Sequence, residues 1–334
     1  MGSGGGGGDQ RGPIGDPPPE IKRFYSCKFH QSYKKHNLCT PINPLFITGF
    51  SDGESSFGII IFRDNNLKTN WKVQLFFQII LHEKDKILLV QIKNYFAVGY
   101  IIKKKGNALE FRVSSIKELQ ILISHFDKYP LITQKLADYL LFKHAFNLIY
   151  CKKHLTKDGL DKLIAIKSSM NRGLSVVLKQ AFSHVEPVSR PLIKENKILN
   201  VNWLSGFTSA EGCFYVNIYK SSSYRQGLRV KLKFAITQHC RDEQLMKSLI
   251  VFFACGNIYK DRETFSFEVT KLCDIENKII PFFKNNPILG IKSKDFYDFG
   301  KIAYMMKEKK HLTKQGLEQI KKIKAGMNTR RKWS

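Results

Sequence analysis

The chain has few cysteines, and none of them are spaced as a redox or zinc-ribbon pair. Its seven cysteines are an odd number with no Cys-x-x-Cys pair, which argues against a secreted disulfide framework and favours a reducing compartment. Cys27, His30, His36 and Cys39 have the residue types of a zinc site. Their spacing is too short for a zinc finger, so we expect them to belong to an N-terminal extension.

Long apolar stretches are also missing. The sequence contains no uninterrupted apolar run of about 18 residues and no single basic amphipathic segment that would account for its charge, so we expect no membrane partner. It also has no apolar signal-peptide core, and Asp9, Asp16 and Glu20 are unusual in a transit peptide. We therefore expect no targeting peptide in this form of the chain.

Acidic residues are scarce relative to basic ones. The 334 residues include 55 Lys and Arg but only 28 Asp and Glu, which gives a formal charge of +27. A field of this size favours a polyanionic partner, and nucleic acid is the best candidate. The chain is also rich in Lys, Ile, Asn, Phe and Tyr, which A/T-rich codons encode. This bias indicates an A/T-rich genome such as that of an organelle.

One long segment of the sequence occurs twice. Ile47–Glu54 and Leu204–Glu211 have nearly the same pattern, and Glu54 and Glu211 lie 157 positions apart (211 minus 54). The same spacing separates seven further pairs: His82 and His239, Asp85 and Asp242, Pro130 and Pro287, Lys135 and Lys292, Asp138 and Asp295, His154 and His311, and Met170 and Met327. Because solenoid units are shorter, at roughly 20 to 50 residues, the spacing predicts two similar domains related by a pseudo-twofold axis.

The repeat divides the chain into four segments. We predict an N-terminal linker or extension over residues 1–40, a first domain over 41–182, a connector over 183–200 and a second domain over 201–334. Within each domain the periodicity predicts a helix, two strands, a helix, two strands and closing helices. Asn43 is the predicted N-cap of the first helix, and Asn202 is assigned the same place in the second domain. Each domain is therefore an α+β unit with a four-stranded antiparallel sheet.

The repeated helices each end in a glutamate and carry small residues four positions apart. Gly49 and Gly53 form this stripe in the first domain, and Gly206 and Ala210 form it in the second. Small residues allow two helices to approach closely. If the helices pack on the pseudo-twofold axis, their terminal carboxylates emerge side by side, where they would bind a hard divalent cation together with backbone carbonyls. A single glutamate at a helix end is usually just solvated, but its recurrence at the repeat spacing favours the metal site.

Strand alternation predicts one core face and one polar face for each sheet. In the second domain Val230, Leu232 and Phe234 alternate with basic residues, among them Lys231 and Lys233. Side chains of this kind can bond base edges in the DNA major groove. A solvated sheet face is the alternative, and the charge and the duplication favour the DNA-reading face.

Both repeated segments resemble the LAGLIDADG signature. From about residue 41 to the C-terminus the chain is similar to the single-chain, two-repeat LAGLIDADG homing endonucleases of fungal mitochondrial introns, in particular the I-OnuI-like group. The resemblance includes the tracts Ile236–His239 and Lys310–Thr313. It implies a pseudo-twofold pair of αββαββα domains whose antiparallel sheets form a saddle on duplex DNA. It also implies cleavage across the minor groove that leaves 3′ overhangs.

The resemblance assigns roles to individual residues. Glu54 and Glu211 match the catalytic metal-binding acids, and the carbonyls of Gly53 and Ala210 match the backbone ligands. Gln78 matches a polar residue that positions water, and its repeat partner is Ala235. The first motif departs from the family pattern, because Ser55 stands where glycine is usual, whereas Gly212 follows the pattern in the second motif. The implied cofactor is Mg²⁺, with Ca²⁺ as a non-catalytic substitute.

Lysines and strand residues complete the predicted site. A lysine near the scissile phosphate would stabilise the pentacovalent phosphorus, and the repeat-related Lys135 and Lys292 are the candidates. The predicted DNA contacts in the first domain are Ser56, Gly58, Ile60, Phe62, Asp64, Lys72, Gln74, Phe76, Gln78, Tyr100, Ile102 and Lys104. Those in the second are Cys213, Tyr215, Asn217, Tyr219, Arg229, Lys231, Lys233, Asn257 and Tyr259.

The sequence therefore predicts a mitochondrial, monomeric, metal-dependent endonuclease that makes a double-strand break in a long asymmetric DNA target. Two alternatives remain open at this stage. One is an intron maturase, an RNA-binding splicing cofactor on the same fold, and the other is a catalytically silent DNA-binding module. Two retained acids favour the nuclease, because a pure binder has no need of a pair of metal ligands.

Overall fold

In the computed structural model the described residues are 41–193, 198 and 200–331. The predicted extension over residues 1–40, with its Cys27–Cys39 cluster, lies outside them. The described residues from Ile42 onward belong to one unit. Among them, no helix is long and apolar enough to cross a membrane.

The first repeat begins with a helix whose start is fixed by local sequence signals. Asn43 caps this helix by accepting a hydrogen bond from the Leu45 N–H at 2.9 Å, and Pro44 occupies the first turn. The elements of this repeat are α1 Pro44–Glu54, β1 Ser55–Arg63, β2 Trp71–His82, α2 Lys86–Phe96, β3 Tyr100–Lys103, β4 Ala108–Val113, α3 Ile116–Lys128, α4 Lys135–Tyr150, α5 Lys157–Ser168 and α6 Val176–Ala181.

The second repeat follows the same order, except that three short segments stand where α3 does and α6 has no counterpart among the described residues. Its elements are α7 Val201–Glu211, β5 Gly212–Lys220, β6 Leu228–His239, α8 Glu243–Phe253, β7 Asn257–Asp261, β8 Thr264–Val269, α9 Leu272–Asp274, a π-helical turn Ile275–Ile279, α10 Ile280–Asn285, α11 Lys292–Lys307 and α12 Lys314–Ala325. The predicted cap at Asn202 is wrong. Asn200, the repeat partner of Asn43, caps α7 by accepting from the Asn202 N–H at 2.8 Å.

Each repeat contains one four-stranded antiparallel sheet, which confirms the predicted fold class. The strand orders are β1-β2-β4-β3 and β5-β6-β8-β7. In the first sheet Ser56 pairs with Gln78 and Phe62 with Lys72, and in the second Tyr215 pairs with Lys233. Directly paired residues point to the same side of a sheet, so this register determines which side chains share a face.

An aromatic cluster fills the core of each repeat. The Phe57 ring lies 5.2 Å from Phe77 and 5.4 Å from Phe126, and Phe214, its repeat partner, lies 5.2 Å from Phe234 and 6.0 Å from Phe283. The helices cover one face of each sheet through these rings. The other face of each sheet is thereby left available for contacts outside the repeat.

The pair α1 and α7 joins the two repeats at very short range. A methyl group added at Gly49 would lie 2.0 Å from the Trp203 carbonyl oxygen, and one added at Gly206 would lie 2.0 Å from the Phe46 carbonyl oxygen. Only glycine permits this backbone approach. Asp52 adds an asymmetric bond across the pair, because its buried carboxylate accepts from the Trp203 indole N–H at 2.7 Å.

Candidate active site and nucleic-acid interface

The two repeated acids emerge where α1 and α7 end side by side. A methyl group added at Gly53 would lie 2.4 Å from the Ala210 Cβ and 3.2 Å from a carboxylate oxygen of Glu211. Glu211 therefore lies against the C-terminal end of α1, where Glu54 is the last residue. The structure thus brings together the two acids that the repeat singled out.

Both carboxyl groups hold protons more tightly than a fully hydrated glutamate does, because the pKa of each is raised. Burial by surrounding groups raises the pKa of Glu54 above 4.5, and the neighbouring Glu211 carboxylate raises it further. Burial also raises the pKa of Glu211, against the opposing effect of Lys292 and Lys135. Concentrated negative charge with incomplete solvation is an environment that a divalent cation would relieve.

Lys135 and Lys292 reach the ends of the same two helices. The Lys135 ammonium donates to the carbonyl oxygens of Ser51 at 2.8 Å and Gly53 at 3.0 Å. The Lys292 ammonium donates to the Ala210 carbonyl oxygen at 2.6 Å. Burial lowers the pKa of Lys135 to about 8 and also lowers that of Lys292. Two partly desolvated cations therefore flank the acid pair.

The donor set at the helix ends fits a hard divalent cation. It consists of two carboxylates and the backbone carbonyls of Gly53 and Ala210, all oxygen ligands. Each of these carbonyls already accepts one lysine hydrogen bond. A carbonyl oxygen has two lone pairs, so one can serve the lysine and the other a metal. The assignment of these four ligands stays a prediction.

We expect metal affinity at this site to fall as pH is lowered. Both carboxyl groups must be ionised to act as ligands, and their pKa values lie above 4.5, so protons compete with the metal further toward neutrality than at an exposed pair. Calorimetric titration with Ca²⁺ at a series of pH values between about 8 and 5 would measure this. An affinity that stays constant over this range would contradict the assignment.

Two glutamines differ in their relation to the acids. Gln78, the predicted water-positioning residue, accepts from the Arg112 guanidinium at 3.3 Å on the outer sheet face. Gln238, which was not predicted to belong to the site, lies with its amide nitrogen 3.4 Å from a Glu211 carboxylate oxygen. Its repeat position in the first sheet is Leu81. The position of Gln238 in the sequence could have identified it: Gln238 continues the alternating series of core-facing residues of β6, and a polar side chain on that face needs a hydrogen-bond partner.

The predicted DNA-contact residues share the outer face of each sheet. The register pairs Ile60 with Gln74 in the first sheet, and Asn217 with Lys231 and Tyr219 with Arg229 in the second. Exposed apolar side chains on the first face are Ile60, Phe62, Ile80, Tyr100 and Ile102. Tyrosines and basic residues dominate the second face. Three predicted contacts depart from this arrangement. Gly58 is buried, and the Phe76 ring covers it, 2.1 Å from where a methyl group would lie. Asp64 and Lys104 lie beyond the ends of β1 and β3, outside the paired face.

Charged side chains of β4 and β8 also lie on these faces and were not predicted. Arg112 pairs with Gln78, and its guanidinium lies 4.1 Å from the centre of the Phe76 ring. In the second sheet Lys233 donates to Glu268 at 2.8 Å. These residues can be assigned to the outer face only when the pairing of the second strand with the fourth is known, and alternation within a single strand does not predict that pairing.

Comparisons with known proteins agree with this architecture. The family described as LAGLIDADG endonuclease matches residues 47–146 and 204–303. "Probable intron-encoded endonuclease 2" of Neurospora crassa is 42% identical over 90% of this chain and 69% of its own length. A protein in ND4 intron 1 of Podospora anserina is 40% identical over 44% of this chain and 33% of its own length. The relatives thus include intron-encoded fungal proteins.

Solved structures give the same result. The I-SmaMI LAGLIDADG homing endonuclease bound to cleaved DNA superposes with a TM-score of 0.85 at 42% identity, covering 86% of this chain and 98% of that chain. I-CpaMI bound to uncleaved DNA has a TM-score of 0.84 at 43% identity, covering 86% and 99%. Endonucleases of this family are metal-dependent, and an I-SmaMI complex contains calcium. Two matched repeats, the shared fold and the paired acids lead to one assignment: this chain belongs to the LAGLIDADG homing endonuclease family.

Proposed function

We propose that the chain, acting as a monomer, makes a double-strand break in a long asymmetric DNA target. It does so by metal-assisted hydrolysis of one phosphodiester on each strand, and the break leaves 3′ overhangs. The observation that carries the proposal is the packing of Glu211 against the end of α1, 3.2 Å from where a methyl group at Gly53 would lie. This contact supports a shared site for two carboxylates where the repeats meet, and we expect the outer face of each sheet to meet the duplex.

The residues at the helix ends would have different roles in the reaction. Glu54 and Glu211, with the Gly53 and Ala210 carbonyls, would hold the metal. When bound there, Mg²⁺ would supply an acidified water and a positive charge close to the scissile phosphate. Lys135 and Lys292 hold further positive charge beside the acids, where it can oppose the negative charge that develops on phosphorus. Gln78 remains the proposed water-positioning residue of the first half.

The two sheet faces would read different half-sites. The second face offers Arg229, Lys231 and Lys233, which can bond to base edges or phosphates. The first face offers Ile60 and Phe62, 37% and 40% exposed, which suit thymine methyl groups. Because the side chains on the two outer faces differ, we expect the two half-sites to differ in sequence, which makes the target asymmetric.

The relatives support a mitochondrial setting. They include a protein named for an ND4 intron and one named for a Cox1 intron, and on this basis we propose that this protein acts in mitochondria. Their names and the DNA-bound structures favour the nuclease over the maturase alternative.

Selection from a library of long duplexes, with Mg²⁺ or Ca²⁺, tests the proposal. The parent protein should cut one long sequence in Mg²⁺ and bind the same sequence without cutting in Ca²⁺. Failure to cut any duplex, together with tight binding to intron RNA, would overturn the nuclease assignment in favour of the maturase.

We expect Lys231→Ala and Lys233→Ala to weaken target binding and relax discrimination on the second half-site. A lost base contact costs about 1–3 kcal/mol. Lys233→Ala should cost more than Lys231→Ala, because it leaves the Glu268 carboxylate, now 2.8 Å from the lysine, without its cation on a face that would meet polyanionic DNA. Binding to singly substituted targets in Ca²⁺ would measure both effects.

The matched control removes two lysines away from the sheet faces. Lys157 and Lys314 are repeat partners, both exposed, at the starts of α5 and α12. Lys157→Ala/Lys314→Ala should leave base discrimination intact. If the strand variants change only the salt dependence of binding, they contact phosphate rather than bases.

A further inference from the structure

Each repeat contributes one aspartate whose side chain accepts a hydrogen bond from the backbone of the other repeat. The Asp85 carboxylate in the first repeat accepts from the Ile291 backbone N–H at 2.6 Å in the second. The Asp242 carboxylate in the second accepts from the Gln134 N–H at 2.7 Å in the first. Asp85 and Asp242 are repeat partners, as are Gln134 and Ile291. The same bond is therefore made twice, crosswise.

Each of these bonds satisfies the backbone N–H of an N-cap residue whose own side chain makes no cap bond. Gln134 and Ile291 are the N-cap residues of α4 and α11, and neither makes a side-chain cap bond. The first N–H groups of a helix have no partner within it, and the positive end of its dipole favours a carboxylate. The opposite repeat supplies that carboxylate in both cases. Gly290 leaves room for it, since a methyl group there would lie 2.4 Å from the Asp85 carboxylate.

The residue immediately after each capped position is an active-site lysine. Lys135 begins α4 and donates to the Gly53 carbonyl, and Lys292 begins α11 and donates to the Ala210 carbonyl, at 3.0 and 2.6 Å. A shift of either helix start would move its ammonium group directly. Each lysine is thus located by its own repeat's chain and by the other repeat's aspartate.

We propose that Asp85 and Asp242 are positioning residues. Asp85 in the first repeat fixes the helix start that carries Lys292 in the second, and Asp242 in the second fixes the helix start that carries Lys135 in the first. Each repeat thus controls phosphodiester cleavage through the lysine of the other. This inference rests on the proposed nuclease function. Its consequence is strand-specific. Losing Asp242 displaces Lys135 alone, and losing Asp85 displaces Lys292 alone, so the two losses slow cleavage of opposite strands.

The test uses the full-length chain and the duplex that the parent protein selects, with each strand carrying a different label. Asp85→Ala and Asp242→Ala should each slow one strand by about ten- to hundredfold, and the affected strand should differ between the two. On supercoiled plasmid, both should accumulate nicked circles ahead of linear product. Asp85→Asn and Asp242→Asn keep an acceptor oxygen and should recover most of the lost rate.

Asp274→Ala is the control for general destabilisation. Asp274 forms an ion pair with Lys278 at 3.1 Å within the second repeat, outside α4 and α11, so its loss should slow both strands equally or not at all. A parent that cuts nothing would defeat the proposed function itself. A parent that cuts, with alanine variants that slow both strands alike or the same strand, would overturn the crosswise positioning alone. Thermal melting and Ca²⁺-dependent DNA binding identify any variant that fails to fold.

Discussion

Glu211→Gln is expected to abolish cleavage while leaving binding to the selected target largely intact. The amide keeps the shape of the carboxylate but removes the charge that would hold the metal beside Glu54. A bound metal supplies several kcal/mol of transition-state stabilisation, so the cleavage rate should fall by at least about a thousandfold. Single-turnover cleavage in Mg²⁺ and gel-shift binding in Ca²⁺ would measure the two effects separately. Loss of specific binding in a folded variant would contradict the assigned role.

The same substitution should raise thermal stability when no metal is present. Burial raises the pKa of Glu211 above 4.5, so the ionised form costs more in the folded protein than in the unfolded one. For a group whose folded pKa is raised, the stability present at low pH is lost as pH rises through that pKa. At neutral pH the parent carries this cost, and glutamine does not. Glu186→Gln, at an exposed position in the connector, should leave the melting temperature unchanged. A lower melting temperature for Glu211→Gln would contradict the raised pKa.

The repeat predicted the parts of the site that depend on local pattern. The terminal acids, the small residues of the motif helices and the lysines all recur at the same spacing, so one axis places them together. The helix cap at Asn200 also fits that spacing, because Asn200 is the repeat partner of Asn43. The prediction of Asn202 was wrong because it used only the position of the apolar run and not the repeat spacing.

Long-range pairings could not be predicted in this way. Arg112 joins the outer face because β2 pairs with β4, and Gln238 reaches Glu211 because the end of β6 lies against the end of α7. The crosswise bonds of Asp85 and Asp242 depend on how the two repeats dock. Alternation and spacing describe each strand or helix by itself, whereas these contacts are set by tertiary packing.

Some departures from the repeat lie close to the acid pair. Asp52 and its repeat partner Ser209 accept equivalent bonds from the Ile132 and Leu289 N–H groups, both at 3.1 Å, but Asp52 also accepts from the Trp203 indole. Gln238 corresponds to Leu81. The two halves therefore keep the same acids and lysines but surround them differently. This arrangement fits two equivalent reactions carried out on two unlike strands.

Gly206→Ala is expected to destabilise the protein by more than about 3 kcal/mol. In an ordinary helix interior this change stabilises by about 1 kcal/mol, because alanine is the better helix former. At Gly206 the new methyl group would lie 2.0 Å from the Phe46 carbonyl oxygen and 2.9 Å from the Phe50 nitrogen. These are backbone atoms of α1 that cannot rotate away, so the helices must separate. Separation would also lengthen the buried bond between Asp52 and Trp203.

Denaturant unfolding of matched glycine variants would test this packing. Gly49→Ala faces the equivalent contact, 2.0 Å from the Trp203 carbonyl oxygen, and should cost a similar amount. At Gly326 a methyl group would meet nothing closer than the Ile323 carbonyl oxygen at 3.5 Å, so Gly326→Ala should change the free energy of unfolding by less than about 1 kcal/mol. Cleavage should fall with stability only at Gly49 and Gly206, because the gap between their helices sets the distance between the two acids. Equal stability for all three variants would mean that α1 and α7 do not meet backbone to backbone.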